Sequence, residues 1–294
     1  MNVSVIIPAQ AAEARQLAST LDGILGQLYD GGGIEVFVVQ YGGGDGLTLP
    51  SLTTGQEIKL LAVDHPSPYA ARNFAASQAT GEALLFTEPG CVPEPQWVRA
   101  HVSRLLDSTV TVSIGPVAPA RVTSAVEMFL SYEDTRDAWV FSCGHWQHYF
   151  GRPKNMAVAR RRFETHGPFA EVMRGADSKL VQKVAREISC GEIALTPEAV
   201  VRQQSVRGIP SCFRDRFIHG RALQVHQSSH SAPISLERRL SLFRGTLDQR
   251  GYGPMKAAGL VGLLAAGILA FRIGGWAGSA ARRREIVLDR KGKT

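Results

Sequence analysis

Two periods of apolar residues alternate along the first ninety positions. Val3-Ser4-Val5-Ile6-Ile7, closed by Pro8, is a short β-branched run of the kind that forms a buried strand. Leu17, Leu21, Ile24, Leu25 and Leu28 then recur three and four places apart, which predicts an amphipathic helix ended by Gly31-Gly32-Gly33. A second strand is expected over Ile34–Val39, a glycine-rich loop over Gly42–Gly46, and a third strand over Ile58–Val63. A helix over Pro68–Ala79 and a fourth strand over Ala83–Thr87 complete the series. Strands and helices alternating at this spacing predict an α/β fold with a doubly wound, mostly parallel, Rossmann-like sheet. Ligands of such sheets bind beyond the carboxyl ends of the strands, so chemistry is expected after Ile7, Val39, Val63 and Phe86.

From Thr123 the pattern becomes helical. A helix is expected over Ser124–Trp139, then an aromatic and histidine cluster (Cys143, His145, Trp146, His148, Tyr149, Phe150) and a short strand over Asn155–Ala159. An arginine-rich turn (Arg160, Arg161, Arg162) and helices over Ser178–Ile188 and Phe213–His226 follow. Ala257–Phe271 carries no charge, Arg272 interrupts it, and Ile273–Ala281 resumes. A membrane span wants about 20 apolar residues and a core or interfacial helix about 10–14, so this stretch falls between. The organisation expected is one domain over 1–230, a linker helix over 231–254, a hydrophobic membrane-associated segment over 255–281 and a basic tail over 282–294. A buried helical hairpin is the other reading of the apolar stretch.

Charge adds a direction. The 294 residues carry a formal net charge of +7, and Arg282, Arg283, Arg284, Arg290, Lys291 and Lys293 crowd the last thirteen positions beside only Glu285 and Asp289. A basic cluster just after an apolar segment suits anionic membrane lipid, and no nucleic-acid-binding module accompanies it. The four cysteines lie far apart without a Cys-x-x-Cys pair, which speaks for free thiols. Cys143, His145 and His148, or His226 and His230, fall short of the four ligands of a closed zinc site. The chain starts directly on a strand-like run with no export leader, which argues for a cytoplasmic location.

Four blocks then carry a resemblance. Val3–Ala9 is similar to the first strand of family 2 glycosyltransferases. Ala71-Arg72-Asn73, leading through Ala79-Thr80-Gly81-Glu82 into Ala83–Phe86, resembles the helix and strand before that family's Asp-x-Asp element. Asn155-Met156-Ala157 with Gly167-Pro168-Phe169 resembles its acceptor-side motif, and Gly175-Ala176-Asp177 stands where the family has Gly-Glu-Asp. The resemblance implies a GT-A fold, a nucleotide-sugar donor and inversion at the anomeric carbon. It implies Asp177 as catalytic base, since an acceptor hydroxyl needs a carboxylate to take its proton. It also implies donor contacts from Pro8, Gln40, Tyr41, Asp45, Arg72, Asn73, Glu88 and Gly90, and acceptor contacts from Asn155 and Met156. Trp146, His148 and Tyr149 are expected as an aromatic acceptor platform, because sugars stack on aromatic faces.

The chain also departs from the family. Gln40-Tyr41 replaces the Asp-Asp that grips the nucleoside, and Glu88-Pro89-Gly90 replaces Asp-x-Asp, leaving Glu88 as the one carboxylate for Mg or Mn. Two readings follow. One is a transferase that neutralises the leaving group with arginines such as Arg72, Arg160 or Arg216. The other is a catalytically degenerate relative that binds nucleotide sugar or acts as a scaffold. For the active reading, a lipid-linked or polysaccharide acceptor in cell-surface polysaccharide or glycolipid synthesis is expected, at the cytoplasmic face of the plasma (inner) membrane.

Overall fold

The computed structural model describes residues 1–43, 46–50, 58–204, 208–225 and 232–291. The chain divides into two compact units, 1–120 with 144–205, and 121–143 with 206–294.

The first unit is built on a mixed sheet. Strands β1 (Val3–Ala9), β2 (Ile34–Tyr41), β3 (Ile58–Val63) and β4 (Ala83–Phe86) appear as expected, joined by β6 (Val112–Ile114), β8 (Met156–Ala159) and β9 (Ile193–Leu195). The order is β3-β2-β1-β4-β8-β6-β9, and β1 to β4 are mutually parallel. All seven residues of β1 are buried, as befits the centre of a sheet covered on both faces. Alternate side chains serve opposite faces. Val3, Val5 and Ile7 pack with Leu17, Leu21 and Ile24 of α1 (Ala14–Leu25) and with Trp97, Val102 and Leu105 of α3 (Trp97–Leu105). On the other face Phe86 meets Phe163 and Phe169, and Phe169 meets Tyr69 of α2 (Pro68–Gln78). A small second sheet joins β5 (Cys91–Pro93), β10 (Val201–Gln203) and β7 (Val117–Pro119).

Strand direction fixes which ends share an edge. Ala9, Tyr41, Val63 and Phe86 all lie at the carboxyl edge of the parallel strands. Strand β8 runs antiparallel to β4, with Met156 opposite Phe86 and Ala159 opposite Ala83. The residues just before β8 therefore reach the carboxyl edge, and Arg160 lies at the far one. Arg160–Arg162, expected as a turn, opens helix α5 (Arg160–His166) instead. Helix α3 and strands β5, β6, β7, β9 and β10 were not expected. The strands have three residues each, too short to show a period.

The second unit is helical: α4 (Ser124–Val140), α7 (Ile209–Val225), α8 (Leu236–Arg250) and α9 (Pro254–Lys291). Residues 121–143 belong with the C-terminal helices, and α8 is an integral packing element in place of a linker. Its Leu242 is buried with Tyr132 of α4 and Leu260 of α9, and Thr246 Oγ1 donates to Thr135 Oγ1 at 3.1 Å. Helices α7 and α9 run antiparallel in close contact. A Cβ on Gly220 would lie 2.0 Å from the Phe271 carbonyl oxygen, and one on Gly274 would lie 2.0 Å from that of Phe217. Among the described residues one helix is long and apolar enough to cross a membrane, over Pro254–Ala281 with a mean hydropathy of 1.9. It exposes Val261, Ile268, Leu269, Ile273 and Trp276, with Arg272 among them.

Candidate active site

Helix α2 carries much of the site. Ser67 caps it, its Oγ accepting from Tyr69 N at 3.1 Å, and Pro68 occupies the first turn, where no N–H is missed. The same Ser67 hydroxyl donates to Val172 O at 2.7 Å. Asn73 clamps Phe169 at two points, donating to its carbonyl at 2.8 Å and accepting from its N–H at 3.0 Å. The helix start thereby anchors the loop that runs through Arg174 and Gly175 to Asp177. Gly175 has a φ of +82°, a left-handed conformation that favours glycine, and caps α6 (Ala176–Glu187). Gly151 lies against Asp177, and a Cβ there would come within 2.6 Å of Asp177 Cβ.

Asp177 is buried, 6% exposed, and accepts a short hydrogen bond from the Tyr69 hydroxyl. Ser178 Oγ contacts its other oxygen at 3.3 Å. Burial pushes the Asp177 carboxyl above its ordinary range, against the opposing pull of the Tyr69 hydrogen bond and the Arg72 guanidinium. Burial and the Asp177 charge together hold the Tyr69 phenol well above its usual value, so it stays protonated as the donor. Arg72, 1% exposed, lies 5.0 Å from the Tyr69 ring centre, and its Nη2 donates to Glu88 Oε1 at 2.7 Å. Its Nε is the one buried side-chain polar atom among the described residues without a partner, a loss worth about 1–3 kcal/mol for an ordinary buried donor.

The corner beyond β4 is more cationic than expected. Lys154 Nζ lies 4.0 Å from Glu88 Oε2, so the carboxylate sits between an ammonium and a guanidinium. Tyr41, half-buried, is flanked here too. Burial raises its phenol first, then the charges of Glu13 and Glu88, while Arg72 and Arg174 act against them. Sequence reasoning passed over Tyr69, Lys154 and Arg174. Tyr69 had a signal, since Ser-Pro before Ala71-Arg72-Asn73 announces a helix start and aims the next residue at the strand ends. Lys154 required the antiparallel direction of β8, which no local pattern shows.

Several residues expected to contact ligand are engaged within the protein. Asn155 is fully buried: its Oδ1 accepts from Trp97 Nε1 at 2.7 Å and His101 Nε2 at 2.9 Å, and its Nδ2 donates to Pro116 O and Ala199 O at 2.7 and 2.6 Å. An amide has no further hydrogen-bonding capacity, so Asn155 ties the core together and offers nothing to an acceptor. Met156 is buried in the sheet beside Phe86. Asn73 is spent on Phe169, and the Gln40 amide oxygen accepts from Leu47 N at 2.7 Å, shaping its own loop. Pro8 is buried within β1. Asp45 lies outside the described residues.

The aromatic platform is displaced as well. Its segment runs antiparallel to α6: Trp146 lies 5.7 Å from Arg186, Tyr149 O accepts from Gln182 Nε2 at 2.9 Å, and Gly151 reaches Asp177. Trp146 therefore sits near the C-terminal end of that helix, about 13 Å along the axis from Asp177. His148 pairs with His145 at 6.3 Å, and Tyr149 is buried. Arg160, on the far edge, pairs with Glu164 at 3.3 Å, and Arg216 belongs to the second unit, where it pairs with Glu133 at 2.6 Å. Arg160 does not adjoin Glu88 in the way that Arg72 and Lys154 do.

A divalent ion would need hard oxygen ligands, and the corner supplies them poorly. Both Glu88 oxygens face cations. Gly90 N donates to Thr20 Oγ1 at 2.9 Å and Gly90 O accepts from Gln204 N at 2.9 Å. Among the described residues no three Asp, Glu, His or Cys side chains gather in a metal-binding group. The residues present do not fit a divalent ion.

Known proteins share this architecture. The mannosyltransferase PcManGT of Pyrobaculum calidifontis, solved with GDP-Man and Mn2+, superposes with a TM-score of 0.58 at 19% identity, covering 98% of this chain and 87% of that one. Glucosyl-3-phosphoglycerate synthase of Mycobacterium tuberculosis, solved with Mn2+, UDP-Glc and phosphoglyceric acid, gives 0.52 at 18% identity over 80% and 88%. At such identities the likeness shows the GT-A fold alone. Glycosyltransferase AglE of Haloferax volcanii is 33% identical over 119 residues, and the matched stretch spans 39% of each chain. The Glycosyl transferase family 2 model matches residues 4–180, well over half of the 294 residues. With strand order and motif blocks in agreement, the chain belongs to glycosyltransferase family 2.

Proposed function

We propose that the protein is an inverting glycosyltransferase that takes a sugar from a nucleotide-sugar donor and places it on an acceptor hydroxyl, with Asp177 as the general base. The observation that carries this reading is the Asp177–Tyr69–Arg72–Glu88 chain at the carboxyl edge of the parallel strands. A base must be ionised yet close to its operating pH, and a buried carboxyl with a raised pKa meets that need. Tyr69 steadies one oxygen. The other, held by Ser178 at 3.3 Å, receives the acceptor proton. As the acceptor oxygen bonds to the anomeric carbon, the bond from that carbon to the phosphate oxygen breaks and leaves its electron pair on the nucleoside diphosphate.

Tyr41, half-buried and flanked by Arg72 and Arg174, is suited to stack on the donor base with cations within reach of its phosphates. The exposed apolar side of α9 supports placement at a membrane, with a lipid-linked or membrane-proximal polysaccharide acceptor. In the test, purified full-length chain is offered a panel of nucleotide sugars and acceptors, and release of nucleoside diphosphate is followed. Turnover in the wild type that is lost in Asp177→Asn supports the enzyme. Nucleotide binding with no turnover across the panel overturns it in favour of a degenerate, binding-only relative.

A further inference from the structure

The corner beyond β4 holds its one Asp-x-Asp-position carboxylate between two cations. Glu88 stands at the family's Asp-x-Asp position, but its two oxygens meet Arg72 Nη2 at 2.7 Å and Lys154 Nζ at 4.0 Å. Gly90, at the second carboxylate position, has its N–H and its carbonyl committed to Thr20 and Gln204. Glu13 and Glu88 act on Tyr41 together with Arg72 and Arg174, so two carboxylates and two cations lie around it. Glu13 is itself engaged, accepting from Gln10 N at 2.8 Å. A dication placed here would find the Glu88 carboxylate already held between a guanidinium and an ammonium. An anion would meet the partly exposed Lys154 ammonium.

We propose that Lys154, carried over Glu88 by the turn before β8, is the cation that meets the departing diphosphate, and that donor binding needs no divalent ion. This inference rests on the transferase reading above. The position is well supported: Thr87 Oγ1 donates to Lys154 O at 3.0 Å and the next residue, Asn155, is locked in the core. The main chain is thus held while the side chain stays partly exposed, 36% by area. A lysine is a compact point charge with rotatable donors, able to leave Glu88 for a phosphate oxygen as negative charge grows there. Glu88 acts as a parking place that keeps the ammonium over the corner and screens it from Arg72.

Isothermal titration of the full chain with UDP, GDP, CDP and dTDP, in EDTA and in MnCl2, reads the inference without any need for turnover. The expected result is that a nucleotide binds equally well in both buffers. Lys154→Met weakens it at least tenfold, about 1.4 kcal/mol, and Lys154→Arg recovers most of the loss. The thermal midpoint of Lys154→Met should stay close to that of the wild type, separating lost charge from lost fold. Binding that appears only with MnCl2, or is as tight in Lys154→Met, overturns the inference and leaves the transferase reading intact. If none of the four binds in either buffer, both readings fall together.

Discussion

Tyr69→Phe isolates one interaction. The substitution removes the hydroxyl that donates to Asp177 Oδ1 and keeps the ring that packs on Phe169 at 5.4 Å and under the Arg72 guanidinium. A hydrogen bond to a charged, buried group is worth about 1.5–3 kcal/mol. It favours the ionised carboxylate, so its loss raises the Asp177 pKa further. Burial already holds that carboxyl above its ordinary range. If Asp177 acts as the base, transfer requires its ionised form and rises with pH through its pKa. The acid limb of kcat/KM therefore moves to higher pH in Tyr69→Phe, while the plateau at high pH falls much less. A continuous nucleoside-diphosphate release assay over pH 4.5–9, a range of about the width needed to see both limbs, measures this. An unmoved limb in a variant that still turns over would refute the assignment of Asp177 as the base steadied by Tyr69.

Four further outcomes are expected. Asn155→Ala leaves the indole N–H of Trp97, the Nε2 of His101 and the Ala199 carbonyl without this partner, and urea unfolding should show a loss of about 3–5 kcal/mol. Burial lowers the His101 pKa to about 4 from 6.5, so the unfolded chain takes up a proton that the folded chain refuses. The stability this neutral ring confers is complete above pH 6.5 and is lost as pH falls towards 4, by about 3 kcal/mol, a loss that urea melts of His101→Gln should lack. In the second unit Gly220→Ala sets a Cβ 2.0 Å from the Phe271 carbonyl and should lower the thermal midpoint through about 1–3 kcal/mol of overpacking, whereas Gly245→Ala, with no neighbour within 4 Å, should not. Leu269→Glu with Ile273→Glu places two charges on the exposed apolar side of α9. Wild type should sediment with membranes and this variant should be released, and equal partitioning of the two would count against lipid contact.

The parts of the fold that could be read from sequence were those whose residues repeat. Strands β1 to β4 and helices α1, α2 and α6 each show a period or a run, and parallel order follows from their alternation. Three-residue strands have no period, and helix α3 escaped because its Trp97, His101 and Leu105 are not uniformly apolar. At the site, Asp177, Arg72, Glu88 and Tyr41 were chosen by motif position and do cluster at one edge of the sheet. The motif could not tell which polar side chains face that edge and which face inward. Asn73, Gln40 and Asn155 were read as ligand contacts, yet each spends its amide on neighbouring chain. Arg160 failed for a global reason: one strand reversal sends it to the other end of the sheet.

That division of labour explains how the corner can lose carboxylates while the fold persists. The motif residues that hold the frame are satisfied internally, and removing any of them strands several buried polar groups at once. Asn155 alone joins α3, the turn after β6 and the segment before β10. Gly81 and Gly151 act through absence, since a Cβ would lie 2.5 Å from Ser4 Oγ or 2.6 Å from Asp177 Cβ. Glu88 and Gly90 stand outside this network as far as their side chains go. Exchanging the carboxylates here costs the frame nothing, provided the charge left behind is balanced. The Arg72 guanidinium, buried beneath the corner, demands an anion in any case, and Glu88 meets that demand at 2.7 Å. With Glu88 so engaged, the leaving diphosphate needs another cation, and Lys154 is the partly exposed one that the frame itself holds over that spot.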